Sequence, residues 1–389
     1  MKIDDLKTCS VLGGGPAGLY CATLLKRARP DIRVALTERN PPDATFGFGV
    51  VFSDSALDFL REDDAATHDL ITPHMQRWRD MTLVHRGEKI VIDNVGFAAI
   101  DRLRLLRILQ RRAEDSGVEI TYDREIGGPE EVEADLVIGA DGLNSLVRRS
   151  HEGDFQMSLS YFDNKFVWFG ATRPFDTLTQ SFVETEWGSF NAHHYRYTPD
   201  NSTFIVECER DTWLKAGFDG LDEDASRKRC AAIFSETLSG AELISNRSLW
   251  RNFPRLWNER WSHRNRVLIG DALHTAHFSI GSGTRLALED AIALVRALTA
   301  NRTLDDALAA YETGRKPVAR KIVDAANHSA AWYESFGARM ALAPLDFGFD
   351  YITRSGRVDR DRLRRIAPGF AARYDAARPE APTHKEKSA

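Results

Sequence analysis

Residues 8–38 read TCSVLGGGPAGLYCATLLKRARPDIRVALTE, and this stretch decides the fold. Its opening TCSVL is short and apolar enough for a buried parallel strand. In the following LYCATLLKRA, Leu19, Ala22, Leu24 and Leu25 recur at helical spacing; RPD then breaks the helix, and IRVALTE reads as a second strand. Between strand and helix, Gly13, Gly15 and Gly18 fit G-x-G-x-x-G. Gly13 permits the tight turn, Gly15 lets the backbone approach a pyrophosphate, and Gly18 allows close helix–strand packing. The helix N-terminus then presents free N–H groups and a positive dipole end to the phosphates. Glu38 ends the second strand, where a carboxylate binds a ribose 2′-hydroxyl, and Arg39 beside it is a further cofactor-binding candidate. Glu38 would repel a 2′-phosphate, which disfavours NADP at this site and leaves FAD and NAD both open.

Two more strand ends run into glycine-bearing loops. Residues 135–148, DLVIGADGLNSLVR, place Asp141 and Gly142 in a turn after a buried strand. Residues 270–284, GDALHTAHFSIGSGT, follow the apolar RVL and precede the helical pattern RLALEDAIALVRAL. His274 and His277 raise a metal reading, but no nearby Cys, Glu or third His completes a known ligand set, so no metal is expected. The stretch contains no G-x-S-x-G, which removes a hydrolase elbow. What remains is a carboxylate, Asp271, beside bare backbone at Gly270, Gly281 and Gly283.

Composition sets the outer limits. A balance of 52 basic against 57 acidic residues argues against a nucleic-acid scaffold. No apolar run approaches the roughly 20 residues of a membrane span. The N-terminal MKIDDLKTCSVLGGG lacks the apolar core of a signal peptide, and Cys9, Cys21, Cys208 and Cys230 are scattered. A cytoplasmic protein with free thiols is expected, as monomer or homodimer. With 389 residues there is room for two domains. Residues 165–209 are aromatic and β-branched, the signature of an antiparallel sheet. In FNAHHYRY, period two puts Asn191, His193, Tyr195 and Tyr197 on one face and His194 and Arg196 on the other. The first face could orient a ligand or be a plain aromatic sheet face. Residues 304–335 read as helices interrupted near Pro317. The basic RSGRVDRDRLRR, 354–365, is either a solvated helix face or a phosphate contact.

The three motifs in this order resemble those of the group A flavoprotein aromatic monooxygenases. That resemblance implies FAD, with Asp271 on a ribityl hydroxyl, Arg102 and Asp141 in contact with the cofactor, and Gly281 and Gly283 leading a helix toward the flavin. It gives Gly142 and Arg148 the remaining positions of the Asp-Gly motif. Phe278 stands where most of the family has proline, and Arg285 where it has asparagine. The segments HTAHFSIGSGT, FGFGVVFSD, NKFVWFGAT, STFIVEC and WRNFP resemble one narrower branch, which contains salicylyl-CoA 5-hydroxylases and 2-aminobenzoyl-CoA monooxygenases.

The implied fold is α/β: a Rossmann-like FAD-binding domain with an inserted antiparallel-sheet substrate domain and C-terminal helices. Residues 1–75, 96–160 and 262–300 would form the flavin domain, 76–95 and 161–261 the substrate domain, 301–378 a helical region and 379–389 a disordered tail. The implied activity is ring hydroxylation of a 2-substituted benzoyl-CoA, salicylyl-CoA to gentisyl-CoA, with NADH or NADPH and O2. The alternatives are hydroxylation of a tryptophan-derived indole or another free aromatic, and a non-catalytic dinucleotide-binding protein. His193 and His277 are the catalytic candidates, and Phe52, Asn191, Tyr195 and Phe278 the substrate-binding ones.

Overall fold

In the computed structural model, which describes residues 1–379, strand Thr8–Leu12 lies between Arg33–Thr37 and Leu136–Gly139, parallel to both. The sheet continues on one side to Glu119–Thr121 and on the other to Arg266–Leu268, each parallel to its neighbour; only the edge strand Ser262–His263 is antiparallel. Every residue of Leu136–Gly139 is buried, as expected of a parallel strand covered on both faces. Helix Pro16–Ala28 packs against Gly283–Ala300 and Arg102–Asp115. Three neighbouring strands end at the same edge, and each runs directly into one of the three motif loops. In an α/β sheet that edge is where ligands bind.

A second, eight-stranded sheet stands over this edge. Its central strands are Met157–Ala171, Ser202–Cys208, Gly188–Arg196 and Leu178–Thr185, successively antiparallel. Beyond them, Met81–His85 pairs parallel to Leu178–Thr185, a departure from the expected all-antiparallel sheet. A long connection rather than a hairpin joins these two strands, so chain direction is unconstrained. All seven residues of Ser202–Cys208 are buried, because both faces of the sheet are covered. One face packs on the helical segment 210–238, the other on the C-terminal helices through Phe182, Trp332, Phe347 and Tyr351. A three-stranded sheet of Gly49–Ser53, Phe97–Asp101 and Gln76–Trp78 completes the frame.

The break expected near Pro317 does not occur. Leu304–Tyr333 is one helix of 30 residues. Pro317 and Thr313, whose carbonyl loses its N–H partner, are both exposed, so water can take that carbonyl. Helices Pro344–Thr353, Arg360–Ile366 and Pro368–Ala377 follow. The expected tail lies outside the described residues apart from Pro379. All four cysteines are buried and free, and no described helix is long and apolar enough to cross a membrane.

Candidate active site

The first motif loop can be tested glycine by glycine. Gly13 adopts φ +106°, and a Cβ there would fall 2.3 Å from the Ala140 carbonyl oxygen. A Cβ on Gly18 would meet the Gly13 carbonyl oxygen at 2.0 Å, whereas one on Gly15 would meet nothing within 4 Å. Two positions are closed by packing and the one that should face a pyrophosphate is open, as the fingerprint requires. The Glu38 carboxylate accepts from Gly14 N at 2.6 Å and from Asn40 N and Nδ2 at 2.9 and 2.6 Å, so it braces the loop; Arg39 is exposed beside it.

A cavity of about 400 Å³ runs from Gly15 past the second and third motif loops to the large sheet. Arg102, Asp271, Gly281 and Gly283 line it on the parallel-sheet side, and His193, Tyr195 and Phe278 at the other end, under the large sheet. Asp271 is accessible through the cavity, yet deep enough that burial raises its carboxyl pKa against the lowering fields of His274 and Arg102. Arg102 Nε and Asp141 Oδ1 are buried without a hydrogen-bond partner, while Asp141 Oδ2 accepts from Leu146 N at 2.6 Å. Cβ atoms on Gly142 and Gly283 would meet nothing within 4 Å. Open glycines, an accessible carboxylate and unpaired cationic and anionic atoms fit an extended ligand with phosphates at one end and polyol hydroxyls beyond. These residues fit FAD. Arg148 is instead a brace: its guanidinium donates to Ala272 O at 2.7 Å and to Leu143 O, tying the second loop to the third.

Behind the third loop lies a buried charge cluster. Asp290 accepts from Gly270 N at 3.1 Å and Arg315 Nε at 2.9 Å, and stands 3.1 Å from His274 Nε2. Burial alone would raise its pKa, but the fields and hydrogen bonds of His274 and Arg315 more than offset that and hold it low. His274 and His277 therefore do not converge: His274 faces Asp290, and His277 Nε2 lies 3.9 Å from Glu207 Oε1. One other His/Asp group, His151, Asp154 and His263, lies outside the cavity beside Arg264 and Arg266, whose charge disfavours a cation.

At the sheet end, burial and then the Arg354 charge push the His193 pKa down to about 3. Its ring is neutral at physiological pH, with one N–H and one acceptor nitrogen, and does not take up a second proton. Burial, then Arg354 and His193, push His277 down to about 3 as well. Burial raises Glu207 to about 8, against a lowering hydrogen bond from Asn164. Arg354 donates to Ser329 Oγ, Ser279 O and Tyr351 O, and has no carboxylate partner among the described residues. Tyr195 donates its hydroxyl to Gly49 O at 3.0 Å.

Three expected pocket residues do not line the cavity. Phe52 is 1% exposed and packs in the core that covers the parallel sheet. Asn191 shares a face with His193 but lies one rung farther along, its Nδ2 donating to Ser181 O at 3.4 Å. His277 turns behind Phe278, with Nδ1 accepting from Ser279 N at 3.3 Å. Conversely, Gln180, Glu207 and Arg354 were missed; reading 178–185 and 202–208 with period two is the signal that could have found the first two. In the basic 354–365 segment, Arg360 and Arg364 pair with Asp375, which favours the solvated-face reading for those two.

The sequence profile of the FAD binding domain family matches residues 84–326. The chain is 40% identical over 376 residues to a salicyloyl-CoA 5-hydroxylase of Streptomyces sp, covering 94% of this chain and 72% of that one. It is 36% identical over 349 residues to a 3-hydroxy-4-methyl-anthranilyl-[aryl-carrier protein] 5-monooxygenase of Streptosporangium sibiricum, covering 90% and 94%. Among solved structures, a 2-methyl-3-hydroxypyridine-5-carboxylic acid oxygenase shares the fold with a TM-score of 0.68 at 18% identity, covering 95% of this chain and 98% of that one.

Proposed function

The chain belongs to the FAD-dependent aromatic monooxygenases, and we propose that within them it hydroxylates the ring of a 2-substituted benzoyl thioester, salicyloyl-CoA at position 5. The observation that carries this reading is the single cavity that joins a dinucleotide cradle to a buried, neutral histidine. The substrate class is supported by two relatives, one acting on an aryl CoA thioester and the other on an aryl group carried by a protein.

Bound FAD, reduced by NADH or NADPH, supplies electrophilic oxygen from O2; overall, ring C–H, NAD(P)H, a proton and O2 give ring C–OH, NAD(P)+ and water. The residues of the chain bind, orient and exclude water. Asp141, Asp271 and Arg102 would hold the cofactor, with the Gly283–Ala300 helix directing its positive end toward the cavity. His193 accepts a hydrogen bond from the ring's 2-hydroxyl, which leaves more electron density on the ring and favours attack para to it. Phe278, braced by Phe166 and Phe253, walls the ring's plane. The apolar walls keep water from competing for the activated oxygen. Such an enzyme would work in the cytoplasm, where its buried thiols stay reduced.

The test compares NADH and NADPH oxidation under air by FAD-loaded protein given salicyloyl-CoA, 2-aminobenzoyl-CoA, free salicylate or an indole. Stimulation by a thioester and not by salicylate is expected, and identifies the reductant. Stimulation by an indole alone, with flavin intact, overturns the thioester reading.

A further inference from the structure

The sheet face over the cavity carries one cross-strand row with an unexplained member. His193 stands directly opposite Gln180 on one neighbouring strand and Ile205 on the other. Side chains so opposed share a face, with Cβ atoms roughly 4.5–5.5 Å apart. Gln180 is 1% exposed, and neither Oε1 nor Nε2 has a hydrogen-bond partner; both ring nitrogens of His193 are likewise buried and unpaired. An apolar side chain of similar volume would fill this place without leaving two polar atoms unsatisfied, so an amide here is costly unless something engages it. Register sets the imidazole against it.

Several neighbouring polar groups are already committed, although Trp168 Nε1 and Glu207 Oε2 are unpaired as well. Tyr195 donates to Gly49 O, His277 Nδ1 accepts from Ser279 N, and Arg354 donates to three oxygens. Neutral imidazole has one donor and one acceptor nitrogen, and a partner on one decides what the other can do. We propose that Gln180 is a positioning residue: with its amide turned toward the imidazole that it stands opposite, to which it is not hydrogen-bonded in the structure, its Oε1 accepts the N–H of one His193 nitrogen, leaving the lone pair of the other to accept a hydrogen bond from the 2-substituent of the bound ring. This deepens the reading of the cavity as a substrate pocket and rests on it. Without Gln180, the ring would divide between tautomers, and one of them presents a donor where an acceptor is needed.

The experiment uses full-length, FAD-loaded protein carrying Gln180→Leu or the near-isosteric Gln180→Met. Nitrogen-15 NMR of labelled histidine, assigned with His193→Gln, reads the His193 tautomer without substrate. One tautomer is expected in the parent and a mixture in Gln180→Leu and Gln180→Met, neither of which offers an amide oxygen. With a thioester, both variants should lower kcat for hydroxylation roughly tenfold with little change in KM, the worth of one lost hydrogen bond. Thermal midpoints and flavin content show whether each variant folds; a structural role alone predicts no change of tautomer. If either variant, folded and flavin-loaded, leaves the tautomer unchanged, or shifts it without loss of kcat, the assignment is overturned. The NMR arm needs no substrate, so a parent enzyme inactive on every thioester counts against the proposed function and leaves this test standing.

Discussion

Acid should destabilise this protein through its cavity histidine, and the size follows from the structure. Burial, and secondarily Arg354, holds His193 at about 3 in the folded chain, against 6.5 for an ordinary histidine. Between those values the unfolded chain binds a proton that the folded chain does not, so stability falls as pH falls through the window. Going from ~pH 7 to ~pH 5 therefore costs about 2 kcal/mol at this residue. His277, also at about 3 through burial, Arg354 and His193, has the same sign and similar size. Glu207, raised to about 8 chiefly by burial, has the opposite sign: the folded chain holds its proton and the unfolded chain releases it, so acidification stabilises the fold. That returns about 2–3 kcal/mol over the same interval and largely hides one histidine in the parent protein. The variant His193→Phe exposes the effect. Urea unfolding at the two pH values should show an acid-induced loss about 2 kcal/mol smaller in the variant than in the parent. Equal losses in both proteins would refute the reasoning, because they would mean that His193 titrates alike folded and unfolded.

Other consequences are equally direct. Gly18→Ala would place a Cβ 2.0 Å from the Gly13 carbonyl oxygen, so the purified variant should lack flavin absorbance; full flavin content would count against the loop assignment. Asp271→Asn should weaken FAD binding about 10- to 100-fold in a fluorescence titration, the worth of a hydrogen bond to a charged acceptor, and unchanged affinity would remove Asp271 from the cofactor site. Asp290→Ala strips the buried Arg315 of one partner and Gly270 N of its acceptor, and should cost about 3–5 kcal/mol in denaturant unfolding. A loss below about 1 kcal/mol would show that Glu289 alone can hold Arg315, which it contacts at 2.6 Å.

How much of this was legible in the sequence depended on how local each constraint is. Short apolar strands, helical spacing and three glycine-bearing loops announced the parallel sheet and its ligand edge, because those patterns are satisfied within about 30 residues of chain. Period two likewise placed His193 and Tyr195 on one face, since alternation is a property of the strand itself. Which rungs meet the cavity is not local, and so Asn191 and Phe52 fell outside it. His277 was misplaced because the loop turn that hides it behind Phe278 depends on packing against Phe253 and Tyr333. Gln180 stands opposite His193 on another strand, and the Arg354 charge acts on it from the turn after helix Pro344–Thr353; no spacing within one segment links them. Pro317 misled because on an exposed helix face water can take the freed carbonyl and lessen its cost, and exposure is decided by tertiary packing.

The central claim is that one cavity brings a flavin and an aryl thioester together for oxygen transfer. The most direct measurement is the mass of the product formed from salicyloyl-CoA by FAD-loaded protein under isotope-labelled O2. The account predicts one labelled oxygen atom on the ring, para to the hydroxyl, in step with reductant consumed. Reductant oxidised with labelled hydrogen peroxide as the sole product, and the thioester recovered unchanged, would contradict it.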